Sequence, residues 1–307
     1  RKKEYLLNGK LFISIVICLV FTVTSAIGLV LTNGADYRFN FPAKPKAWPS
    51  IECHGADNIT ELHNPLSECL GDGKASGMRS IYLVGDSHAA QLTFALKLVA
   101  NSRNMNFYFI NTENSNDFPY SFWNAPVSSD RLLDHVLKSS QKGDYFLTSF
   151  HRGHFNRHRD SHPIESNNIT LSREAITFKQ NLMSYLERFK QNGVSVYLVK
   201  DGPLLKNRDY SVEQCMYDFQ ESQSPPCLLH ISRDKSTSRA QNEVFDELAK
   251  HYDFVTALDY LPELYKGEYF SPISPEGKYL MIDRHHLSEF ASLQLVDFFD
   301  RNLVIAK

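Results

Sequence analysis

The sequence predicts an α/β fold: a three-layer α/β/α sandwich around a mostly parallel five-stranded sheet, preceded by one transmembrane helix. Three observations predict it. From Ser80 onward, short apolar runs alternate with stretches whose apolar residues recur at helical spacing. That alternation implies parallel strands joined by covering helices. Residues 11–32 (LFISIVICLVFTVTSAIGLVLT) carry no charge and are long enough for a helix to cross the hydrocarbon of a bilayer. The 307 residues are 42% hydrophobic and 22% charged, which fits a packed core and excludes a collagen-like, coiled-coil or wholly disordered chain.

The flank at residues 1–10 carries Arg1, Lys2, Lys3 and Lys10 against Glu4 alone. The positive-inside rule then puts it in the cytoplasm and everything after residue 32 outside. A cleaved signal peptide usually has an apolar run of only about 7–15 residues, so an uncleaved span is the expectation. Residues 33–79 read as a linking extension. Its first part has three prolines, and Tyr37, Phe39, Phe41 and Trp48 suit an extended arm that packs onto the domain. Cys18 lies in the apolar run as a small apolar residue. Cys53, Cys69, Cys215 and Cys227 follow it, an even number that favours disulfides in an exported domain. Local pairing, Cys53–Cys69 and Cys215–Cys227, closes two short loops. A four-cysteine zinc site needs closer pairs than these.

Residues 80–307 form the main domain. Strands are expected at 80–86, 105–110, 144–150, 194–200 and 254–259. The helix at 88–102 carries Leu92, Ala95, Leu96 and Val99 on one stripe. A short helix at 130–140 is capped by Asp130. The longest, 172–192, starts on Ser172 and stops at Gly193. Helices at 237–252 and 287–301 follow, the last with Phe290, Leu293, Val296 and Phe299 on one face. In such sheets ligands sit beyond the carboxyl ends of the strands.

Gly85-Asp86-Ser87-His88 stands at the first of these ends and opens the first helix. Free N–H groups there favour a nucleophilic hydroxyl and a developing oxyanion. Three residues alone fit a helix cap equally well. The second signal is Asp283-Arg284-His285-His286 before the last helix. A serine needs a base, and the base an orienting group. Asp283 and His286, three apart, share one face, while His285 is expected to point away to the surface. The balance of 33 basic against 35 acidic residues, net −2, excludes a nucleic-acid footprint.

Together the two blocks resemble the SGNH (GDSL) hydrolase family. GDSHAAQL (85–92) and D-x-x-HLS (283–288) are similar to the SGNH domain fused to acyltransferase family 3 membrane proteins, which O-acetylate bacterial surface glycans. The resemblance implies a flavodoxin-like SGNH sheet, Ser87 as nucleophile, His286 as base and Asp283 as its partner. It implies a surface-glycan acceptor of lipopolysaccharide or O-antigen type, an inner-membrane location with the catalytic domain in the periplasm, and a multi-span acyltransferase partner domain. The acetyl donor it implies is acetyl-CoA, used by that membrane part. An esterase of the SGNH type, or a glycan-binding module with a weakened site, is the alternative. The family also implies an oxyanion Gly and an Asn in a G-x-N-D block, which this chain lacks. Asn111 after the second strand, and His151, Arg152 and Gly153 after the third, are the candidates for oxyanion or substrate contacts.

Residues 151–162 hold four histidines, with His154/His158 and His158/His162 at i,i+4 spacing. Arg152, Arg157 and Arg159 repel a cation, and Gly153 and Pro163 break a helix, so no metal is expected. The stretch reads as a solvated loop or a polar rim of the site. In a bacterial protein, which the resemblance implies, the sequons at Asn58 and Asn168 are only chance polar loops.

Overall fold

The computed structural model describes residues 16–27, 78–112, 118–124, 126, 129–155, 171, 173–205, 211–222 and 227–304. The chain divides into two units, Arg1–Lys44 and Pro45–Lys307. In the first, residues 16–27 are helical with exposed side chains. Among the described residues no helix is long and apolar enough to cross a membrane. The expected span at 11–32 extends past the described part on both sides. The expected extension and Cys53–Cys69 lie almost wholly outside the described residues.

The second unit is built on a five-stranded sheet: β1 (Ser80–Gly85), β2 (Asn106–Asn111), β3 (Tyr145–Ser149), β4 (Ser195–Val199) and β6 (Val255–Leu258), in the order β2-β1-β3-β4-β6. Every pairing is parallel. β1, β3 and β4 are buried along their whole length, as strands covered on both faces must be. Helices α1 (Ser87–Ala90) and α2 (Thr93–Ser102) follow β1; α3 (Ser121–Asn124) and α4 (Arg131–Ser139) follow β2. The long α5 (Arg173–Gln191) leads into β4, and α6 (Val212–Ser222) follows it. After the two-residue β5 (Leu229–His230) comes α7 (Ile231–His251), then β6 and α8 (Leu261–Leu264). β7 (Tyr269–Phe270) pairs antiparallel with β5, and α9 (Glu289–Leu293) and α10 (Val296–Asn302) close the domain. One helical layer gathers α2, α9 and α10; the other gathers α3, α5 and α7.

Asp130 caps α4 as expected, accepting from the Leu133 N–H at 3.0 Å. Three expectations change. The helix at 88–102 is two helices, broken at Gln91-Leu92. The last helix breaks at Gln294-Leu295, so the expected face does not hold: Leu293 is exposed, while Ala291, Leu295 and Phe299 are buried. The helix expected at 237–252 begins six residues earlier, where the side chain of His230 accepts from the Ser232 N–H. Cys215 on α6 is bonded to Cys227, the expected pair.

Candidate active site

The site lies at the carboxyl ends of β1, β3 and β4. β1 ends at Gly85, where an added Cβ would lie 1.9 Å from the Ser149 carbonyl oxygen. Only glycine lets the turn run that close to β3. Asp86 then caps α1, its Oδ1 accepting from the His88 N–H at 2.8 Å, and its Oδ2 accepts from the His151 N–H at 2.9 Å. One buried carboxylate thus joins the turn after β1 to the turn after β3. Burial alone raises its pKa, but His154, His88 and the His151 N–H outweigh that and lower it.

This turn holds Ser87 at the first position of α1. The Ser87 hydroxyl lies 2.8 Å from His286 Nε2, and His286 Nδ1 lies 2.7 Å from Asp283 Oδ2. Asp283 Oδ1 also accepts from the His285 and His286 backbone N–H groups, each at 2.9 Å. Burial pushes the Asp283 carboxyl up, yet the bond and charge from His286 hold it well below the usual carboxylate range. An ionised Asp283 makes Nδ1 of His286 the proton-bearing nitrogen and leaves Nε2 to accept from Ser87. The 281–287 segment is fixed by Gln91, whose Oε1 accepts from the Leu287 N–H at 2.7 Å while its Nε2 donates to the Tyr260 hydroxyl. The structure therefore brings Ser87, Asp283 and His286 together.

The other four candidates fare differently. Arg152 is not at a solvated rim. It is 2% exposed, with Nε donating to Asp201 Oδ2 at 3.0 Å, Nη1 to Thr237 and Nη2 to the Gly202 carbonyl. A guanidinium engaged on all three nitrogens inside the fold has no role as a substrate contact. The Gly153 N–H donates to His151 Nδ1, so it is spent locally. His151 sits half-buried beside the site, its ring 4.7 Å from that of His88. Asn111 ends β2 in register with Gly85 and is buried. The i,i+4 histidines His158 and His162 lie outside the described residues.

Sequence reasoning missed His88, His285 and Asp201. His285 was expected on the surface; instead it is half-buried, with Nδ1 3.1 Å from His88 Nε2. His88 Nδ1 lies 2.6 Å from Asp201 Oδ1. The Asp201 carboxylate also accepts from the backbone N–H groups of Arg152 and Gly202. No spacing rule links residues 88, 201 and 285. The position of Asp201 just past a strand end was the one available signal.

Fold and site together define a class: α/β proteins with a parallel sheet that sets a serine, a histidine and an aspartate in hydrogen-bonded series beyond its strand ends. The profile of the family described as "SGNH domain (fused to AT3 domains)" matches residues 52–301. The chain belongs to this SGNH domain family. No curated protein matches it in sequence. Among solved structures, the periplasmic domain of the Salmonella ser. Paratyphi A lipopolysaccharide acetyltransferase has the same fold. It superposes with a TM-score of 0.50 at 12% identity, over 76% of this chain and 85% of that one. The acetyl xylan esterase AlAXEase gives 0.41 at 15% identity, over 73% and 100%. A GDSL-like lipase from Bacteroides thetaiotaomicron VPI-5482 gives 0.37 at 10%, over 72% and 86%.

Proposed function

We propose that this chain is the periplasmic catalytic part of an inner-membrane O-acetyltransferase, which moves an acetyl group through Ser87 to a sugar hydroxyl of a bacterial surface polysaccharide. The observation that carries the reading is the series Ser87 Oγ–His286 Nε2 at 2.8 Å and His286 Nδ1–Asp283 Oδ2 at 2.7 Å. His286 Nε2 takes the Ser87 proton as Oγ bonds to the acyl carbon, and the carbonyl pair moves onto oxygen. Collapse expels the donor's leaving group, which takes the proton from His286. In the second half the sugar hydroxyl gives its proton to His286 and its oxygen to the acyl carbon. Ser87 leaves and regains a proton. Asp283 stays ionised and holds the imidazole throughout.

Transfer is favoured over hydrolysis by the family's description as fused to AT3 domains and by the likeness to a lipopolysaccharide acetyltransferase domain. The acetyl donor in this reading is acetyl-CoA, used by a membrane domain of the same protein, and the basic flank at residues 1–10 keeps that side cytoplasmic. The SGNH-type esterase is the second reading, since the same three residues serve water as acceptor.

In cells, Ser87→Ala and His286→Ala should each abolish most glycan O-acetylation, and the double variant should be little worse, because such residues act as a unit. Asp283→Asn should be milder. A reporter fused after Lys307 should be active outside the cytoplasm. Wild-type acetylation in Ser87→Ala would overturn the acyl-enzyme. Ser87-dependent ester hydrolysis without glycan acetylation would favour the esterase.

A further inference from the structure

Four imidazoles crowd the site: His88, His151, His285 and His286. Only His286 has a role in the chemistry above. One ring nitrogen from each of His88, His285 and His286 lies within 4.8 Å of the other two. His88 Nε2 lies 3.1 Å from His285 Nδ1. Two nitrogen ligands of a tetrahedral zinc ion, each about 2.0–2.1 Å from it, sit about 3.3 Å apart. These two nitrogens are therefore close to the spacing of ligands on one ion. The ring of His286 completes the group, its centroid 3.9 Å from that of His285 and 5.0 Å from that of His88.

The groups behind these rings suit a ligand set. A metal-binding histidine donates its other ring N–H to a carboxylate, which fixes the tautomer and raises the basicity of the ligating nitrogen. His88 Nδ1 lies 2.6 Å from Asp201 Oδ1, and His286 Nδ1 lies 2.7 Å from Asp283 Oδ2. The carboxylates Asp86, Asp201 and Asp283, all held below their usual range, outnumber the buried guanidinium of Arg152. His285 is half-buried and gives an ion its way in from solvent. A second group, His88, His151 and Asp201, is as compact. It fails as a ligand set. Asp201 Oδ1 and His88 Nδ1 are hydrogen-bonded to each other, closer than two ligands of one ion sit, and His151 Nδ1 accepts from the Gly153 N–H.

We propose that His88 Nε2, His285 Nδ1 and one nitrogen of His286 form a site for a single zinc-class divalent ion, with water in the fourth position, and that the bound ion holds Ser87 inactive. The site serves either protonation state of His88. A bare Nε2 binds directly, and a protonated one gives its proton to solvent as the metal binds. Inactivation follows from either nitrogen of His286. Through Nε2 the ion takes the lone pair that accepts the Ser87 proton; through Nδ1 it displaces Asp283, which holds the imidazole in place. Binding of the ion stands by itself, while its effect on turnover rests on the acyl-enzyme reading above.

The test uses the full chain freed of metal by a chelator, zinc chloride as the probe, and p-nitrophenyl acetate for turnover with Ser87→Ala as the blank. Calorimetric titration should give one zinc per wild-type chain. Zinc should also raise the melting temperature, as an ion that binds only the folded state does. His285→Phe keeps a ring and removes one ligand. It should weaken zinc binding at least about tenfold, since loss of even an outer-shell partner costs about 10–100-fold, and it should abolish the zinc-dependent rise in melting temperature. At the zinc concentration that halves wild-type turnover, His285→Phe should lose no more than about a tenth of its own metal-free rate, as that affinity loss dictates. If the Phe variant does not fold, His285→Ala reads the same contrast. A wild type that binds no zinc, or a His285→Phe variant that binds it as tightly as the wild type, overturns the site. Zinc bound with undiminished turnover overturns the inactivation. Zinc bound as expected by a wild type without Ser87-dependent turnover upholds the site and removes the acyl-enzyme reading.

Discussion

Asp201 takes four donors into one buried carboxylate: the Arg152 backbone N–H and Nε, His88 Nδ1 and the Gly202 N–H. Removing one member of a buried charge cluster leaves the others uncompensated, which typically costs about 3–5 kcal/mol. Asp201→Ala should therefore lose stability of that order in urea melts, and a loss under about 1 kcal/mol would contradict the assignment. The same cluster sets a pH dependence. Asp201 has a depressed folded pKa, so its contribution is present above its ordinary 3.8 and is lost as pH falls through the folded value. His88 has a raised folded pKa, so its contribution is full below its ordinary 6.5 and is lost as pH rises through the folded value. Between those ordinary values both are present. Melting temperature should fall on raising pH above about 6.5, and Asp201→Asn should flatten that alkaline decline, because His88 then loses the charge that keeps it protonated. A decline of equal slope in wild type and variant would show that other groups cause it.

At the scale of elements, a helix of only four residues holds Ser87. α1 has four residues, too few to hold a geometry by its own hydrogen bonds. Its neighbours hold it: Gly85 against β3, Asp86 across to His151, and Gln91 out to Leu287 and Tyr260. Gly85→Ala forces a methyl against a backbone oxygen that belongs to the central sheet and has nowhere to go. It should destabilise the fold by about 1–3 kcal/mol or more, as overpacking does, and Ser87-dependent turnover should fall in the variant that remains folded. Calorimetry and an ester assay on the same preparation check both. A Gly85→Ala protein with native stability would mean that β1 and β3 lie farther apart than this turn requires.

For the whole molecule, the parallel sheet ties the N- and C-terminal blocks into one site across about two hundred residues of chain. The Cys215–Cys227 bond lies in a different part, where α6 leads towards β5. It closes a loop with a sequence separation of 12, for which chain entropy predicts about 3 kcal/mol. Reduction, or Cys215→Ser with Cys227→Ser, should lower stability by about 2–3 kcal/mol in urea and leave turnover at Ser87 unchanged at low temperature. Loss of turnover in the folded, reduced protein would mean that α6 couples to the catalytic turn.

The sequence by itself determined the sheet architecture and the three residues that the structure joins in one hydrogen-bonded series. Strands buried on both faces are written as continuous apolar runs, so β1, β3 and β4 stand out, and their alternation with helices sets the parallel sheet. Ser87, Asp283 and His286 were legible because each sits in a local pattern, a strand-to-helix turn or a one-turn spacing. Tertiary structure alone decided the rest. Gln91, at the break between α1 and α2, is bonded to Leu287 and Tyr260, residues remote in sequence. The break at Gln294 turns a face that helical periodicity had placed elsewhere. Arg152 reads as a rim residue until Asp201, brought beside it by β4, draws it inside. His285 reads as surface until His88 comes within 3.1 Å of its ring nitrogen. Local patterns follow from backbone geometry and capping, which act over a few residues. Partners of buried charge are chosen by which strand ends the sheet places side by side, and nothing in a linear spacing records that choice.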